Sequence, residues 1–145
     1  MKTLLLLPLL LGLAGIAHAQ SGGECPRLPN AQLNWDHRAR ADTLLCRAIR
    51  DDGSEAFGVS ITPKAPYELK RSNRLGPGTI DELGIYWYRG ELAAQPGILV
   101  RETMFELGDG RSVHIWLQAG SDAELTQIIG TVQAMRFDAN RLSSK

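Results

Sequence analysis

Two periodicities meet near the C-terminus, and their junction restricts the fold more than any other feature of the chain. In "VHIWLQA", residues 113–119, apolar and polar side chains alternate, sending Val113, Ile115, Leu117 and Ala119 to one side and His114, Trp116 and Gln118 to the other. The following segment, "SDAELTQIIGTVQ", changes to helical spacing, with Leu125, Ile128, Ile129, Val132 and Met135 recurring every three or four residues. Ser121 followed three residues later by Glu124 predicts a capping box at its start. An amphipathic helix next to a half-apolar strand has to lay its stripe on a sheet, so the expected class is α+β.

Further strands are readable upstream. "TLLCRAIR" and "AFGVSIT" flank "DDGSE" and predict a hairpin whose loop is slightly longer than two residues. "ELGIYWYRGEL", "ILVRETMFEL" and "VHIWLQA" predict a three-stranded meander, the middle strand with an uneven alternation that suggests a bulge. The expected architecture is a single antiparallel sheet of five or six strands with the C-terminal helix packed on one face. Thr62 to Thr79, rich in proline and carrying Lys64, Lys70, Arg71 and Arg74, reads as a partly helical surface loop. "WDHRARAD", Trp35 to Asp42, reads as a polar loop.

The first nineteen residues read as an address. Lys2 supplies the positive start, "LLLLPLLLGLAGIA" the apolar run, and Ala17 to Ala19 the small-x-small site of a signal peptidase. Cleavage after Ala19 leaves residues 20–137 as one domain and 138–145 as a frayed tail, a size able to bury roughly two thirds of its unfolded surface. Cys25 and Cys46, in a chain sent to an oxidising compartment, are expected to form a disulfide worth ~3 kcal/mol. The segment removed holds one of sixteen basic residues, leaving fifteen against sixteen acids. That balance argues against nucleic acid as a partner. The expected location is the periplasm, with no stable membrane insertion after cleavage.

Constellations that carry catalysis are nearly missing. His37 and His114 are the two histidines outside the signal segment, and the sequence holds no Gly-x-Ser-x-Gly, His-Glu-x-x-His or phosphate-binding glycine loop. Asp36 and His37 are adjacent on what would be extended chain and so point apart, and Glu102 and Glu106 share a strand face without further support as a carboxylate pair. No cofactor or metal is implied. What remains is a surface: Tyr86 and Tyr88 join His114, Trp116 and Gln118 opposite the face that the helix covers, and Lys70, Arg71 and Arg74 form a basic excursion. Aromatics with polar tips favour interfaces. The alternative is that the N-terminal segment or the Thr62 to Thr79 stretch folds over these aromatics and makes them core.

The turn "DGR" at 109–111, the strand "VHIWLQA", the acid-capped helix "SDAELTQIIGTVQ" and the closing "AMRF" resemble the end of Mog1/PsbP-like domains, which include exported bacterial proteins. The likeness spans Leu83 to Phe137; the N-terminal part departs from it in lacking a clear first helix. It implies an antiparallel sheet flanked by helices and usually no catalysis, and it transfers no site residue. The expected function is non-catalytic recognition of another protein in the bacterial envelope, as an inhibitor, immunity protein or assembly accessory. A carrier of a small hydrophobic or anionic ligand is the alternative, and a hydrolase the third.

Overall fold

A computed structural model describes residues 24–30, 32–90 and 95–137. The signal segment and the C-terminal tail expected from the sequence lie outside the described residues. Seven strands form one antiparallel sheet: β1 (Asn34–Arg40), β2 (Thr43–Ile49), β3 (Glu55–Thr62), β4 (Arg74–Ile80), β5 (Leu83–Arg89), β6 (Leu99–Glu106) and β7 (Ser112–Ala119). Their order across the sheet is β1-β2-β3-β7-β6-β5-β4. One helix, α1 (Asp122–Gln133), follows β7. The fold is therefore α+β as expected, with seven strands among the described residues in place of five or six.

The two unforeseen strands are the two edges. Trp35 to Asp42, expected as a polar loop, supplies β1, and the end of the Thr62 to Thr79 stretch supplies β4; the only helical residues in that stretch are the single 3-10 turn Arg71–Asn73. Both edges face water along most of their length, so neither needs an apolar alternation. Pro77 is tolerated in β4 because an edge strand has one side free of ladder bonds. The expected irregularity in β6 is also displaced: β6 pairs with β7 without a break from Leu99 to Glu106, while shifts occur at Ala48/Ile49 and Arg74/Gly76.

Short turns set the register. Asp81 and Glu82 both adopt positive φ, the requirement of a two-residue hairpin whose twist matches its strands. The β2–β3 hairpin closes through Gly53 at φ 83°, and the β6–β7 turn through Gly110 at φ 85°.

One face of the sheet is sealed. Leu44, Cys46, Phe57, Val59, Ile61, Val113, Ile115 and Leu117 are buried there with Leu125, Ile128 and Val132 of α1 in a single core. The Ser121 hydroxyl accepts from Glu124 N at 3.2 Å, while Glu124 Oε2 accepts from Gly120 N at 2.7 Å and Oε1 pairs with Arg50. The helix start is thus tied to the β2–β3 hairpin. At the other end Asp81 accepts from Phe137 N, and Phe137 meets Phe105 edge-on. Gly130 faces open space, so it provides no close approach and costs α1 about 1 kcal/mol relative to alanine. Cys25 and Cys46 are joined, with Cα atoms 5.9 Å apart, and the Trp35 indole donates to Pro26 O. The N-terminal segment therefore packs on the helix side, away from His114 and Trp116.

Candidate functional site

The other face is organised by one line of residues. Asp36, Arg47, Gly58, Trp116, Glu102, Tyr88 and Arg74 are successive cross-strand partners, one from each of β1, β2, β3, β7, β6, β5 and β4. Cross-strand neighbours of this kind stand about 5 Å apart, close enough to interact in sequence across the sheet.

Trp116 answers why a tryptophan sits on a polar face. Its indole lies over β3, where a Cβ at position 58 would fall inside the ring, so glycine is the residue this arrangement admits. The indole nitrogen donates to Glu55 Oε1 at 3.0 Å, and Glu55 Oε2 accepts from Arg47 Nε at 2.7 Å. Arg47 also reaches Asp36 at 3.3 Å. The hydrogen bond and charge of Glu55 hold the Arg47 guanidinium more firmly protonated than usual. Trp116 is thereby fixed at both the ring face and the nitrogen.

A second cluster lies beside it. Topology requires the chain leaving β3 to reach β4, which lies beyond β7, β6 and β5 and runs in the same direction as β3. Residues 63–73 therefore cross the polar face diagonally as a strap, starting where Pro63 ends β3. On the way Tyr67 meets the sheet: its hydroxyl donates to Glu102 Oε2 at 2.8 Å and lies 3.0 Å from His114 Nε2. His114 Nε2 is in turn 2.9 Å from the same Glu102 oxygen. A carboxylate offers only acceptors, so His114 carries its proton on Nε2 and Glu102 Oε2 takes two donors. Burial of the hydroxyl, reinforced by the hydrogen bond and charge of Glu102, pushes the Tyr67 phenol well above the ordinary tyrosine range.

Between strap and sheet lies a half-open groove of about 500 Å3, walled by Tyr67, Leu69 and Lys70 and floored by Val100, Glu102, His114 and Trp116. The volume falls in the range of small-ligand sites. Gly90 also lines the groove; a Cβ there would strike Val100 and come within 3.9 Å of Glu102 Oε1. Beyond the groove, Arg74 stacks on Tyr86 at 4.2 Å and bonds the Tyr88 hydroxyl at 3.3 Å.

Of the residues singled out in the sequence, His114, Trp116 and Lys70 line the groove, Tyr86, Tyr88 and Arg74 form a stacked group on the adjoining β4–β5 ribbon, and Arg71 and Gln118 are exposed outside it. Tyr67, Glu102, Glu55 and Gly58 complete the arrangement and were not singled out as site residues. Gly58 carried a usable signal, since glycine inside a strand marks close approach of another group.

The protonated Tyr67 phenol serves Glu102 as a hydrogen-bond donor at neutral pH. Among the described residues no group of three or more His, Cys, Asp or Glu side chains converges as a metal site, and no helix is long and apolar enough to cross a membrane. Comparison with protein-family models, curated proteins and solved structures finds no match to this chain.

Proposed function

We propose that this chain is a non-catalytic binding protein of the bacterial periplasm, and that the strap-covered face of its sheet receives a segment of another protein. One observation carries the reading. Among the described residues the exposed large hydrophobic side chains are Tyr67, Leu75 and Tyr86, and all three belong to the strap and the adjoining β4–β5 ribbon. Tyr67 lines a preformed groove, and the Arg74–Tyr86–Tyr88 stack stands on the adjoining ribbon; tyrosine and arginine are the residue types of interface anchors. The disulfide accords with an exported chain.

A small-ligand carrier would use the same groove, which its volume favours, but a floor carrying Glu102 disfavours an anionic cargo. Photocrosslinking in the periplasm separates the two. A benzoylphenylalanine at position 86 should trap one discrete protein, identified by mass spectrometry, while the same group at Arg111 traps none. Equal trapping at both positions, or native mass spectra of the purified protein showing a bound small molecule and no trapped protein, would overturn the proposal.

A further inference from the structure

The two oxygens of Glu102 differ in their surroundings. Oε2 accepts from Tyr67 and His114, which fixes the plane of the carboxylate. Oε1 makes no hydrogen bond or ion pair among the described residues and lies near Gly90, which lines the groove with it. The side chain lines the groove and is only 15% exposed. Gly90 has no positive φ that would demand glycine; its missing side chain makes room for Val100, which packs there beside Oε1.

The walls complete the character of the site. Trp116 and Tyr67 present aromatic surface, which attracts cations. Glu68 adds a second carboxylate, against the single ammonium of Lys70. The groove thus favours a positively charged group, and the geometry selects which kind. A guanidinium binds best as a fork across both carboxylate oxygens, but Oε2 already has two donors. An ammonium needs only one point of attachment.

We propose that the groove receives the ammonium group of a lysine side chain of the partner protein, which donates to Glu102 Oε1 in the recess that Trp116 and Tyr67 also line. This rests on the protein-binding reading above and names the residue type that the partner inserts. A 500 Å3 groove exceeds one lysine side chain, leaving room for the flanking backbone of the inserted segment.

The test uses the whole exported protein labelled with 15N and four probes: a Gly-Gly-Lys-Gly-Gly peptide, its arginine and norleucine counterparts, and n-butylamine. The lysine peptide should shift the Trp116 indole N–H resonance saturably, the arginine peptide should bind more weakly, and the norleucine peptide should bind about tenfold more weakly or not at all, the worth of one hydrogen bond to a charged group. Glu102→Gln should abolish the preference for lysine over norleucine. A retained Trp116 resonance shows that the variant is folded. Equal binding of norleucine and lysine peptides to the parent protein overturns the inference without any variant. Butylamine binding as tightly as the lysine peptide overturns the macromolecular source. If Glu102→Gln still traps the crosslinked partner undiminished, the lysine assignment fails while protein recognition stands.

Discussion

The two faces of this sheet are built on different principles. The helix-covered face is a matter of volume and apolarity: Phe57, Ile115, Leu117 and their neighbours exclude water, and any set of similar shapes would serve the same end. The strap-covered face is a matter of identity. Trp116 requires Gly58 beneath it, Glu55 at its nitrogen and Arg47 behind Glu55, and Glu102 requires both Tyr67 and His114. A face that carries specific partners at specific atoms has little tolerance for substitution, and its side chains contribute less to stability than the core that supports them.

That contrast can be broken most forcefully from the apolar side. Phe57 is 1% exposed and meets Trp35 edge-on, so Phe57→Ala should lower the unfolding free energy by ~3 to 5 kcal/mol in urea titrations. A loss near zero would mean that the helix side is not the principal core. On the polar side the largest effect is expected from adding, rather than removing, atoms. Gly58→Ala should cost ~1 to 3 kcal/mol by displacing the indole, and should cost far less in a Trp116→Ala background. Equal costs in the two backgrounds would separate Gly58 from Trp116 and weaken the picture of a keyed face.

The smallest effect is the most specific. Because the fold raises the Tyr67 phenol, its protonated form is the one stabilised: the contribution is complete below the ordinary tyrosine range near pH ~10 and is lost as pH climbs towards the folded value. Ultraviolet titration should therefore show a phenol ionising above the ordinary range, and Tyr67→Phe should remove that late step. The same substitution should cost ~1 kcal/mol at neutral pH, the scale of a hydrogen bond to a charged group on a part-exposed side chain. A titration curve unchanged by Tyr67→Phe would detach the strap from Glu102.

The same difference between faces decides how much was readable in advance. Burial writes itself into sequence as period, which is why β2, β3, β5, β6 and β7 were legible, as were the disulfide partners and the Ser121 cap, although Glu124 reaches Gly120 N and not the Ser121 N of a full capping box. The edges β1 and β4 were not, because strands wetted on most sides carry no apolar rhythm, and Gly76-Pro77-Gly78 imitates a loop. Trp116 and His114 were recognisable as misplaced on a wet face, but their explanations lie at Gly58, Glu55, Glu102 and Tyr67. Those come from β3, β6 and the strap, and only pairing register and the β3-to-β4 crossing bring them within reach. A local pattern cannot encode a long-range crossing.

The crossing strap also ties the groove to the completeness of the fold. Thr62 and Arg74 anchor it at opposite ends of strands that are not neighbours, with three others between them. A sheet zipped only as far as its central strands would possess much of its oily interior yet have no recess to offer a visitor. The recess therefore exists only where the full span from β3 to β4 is in place, and a partly frayed sheet lacks it.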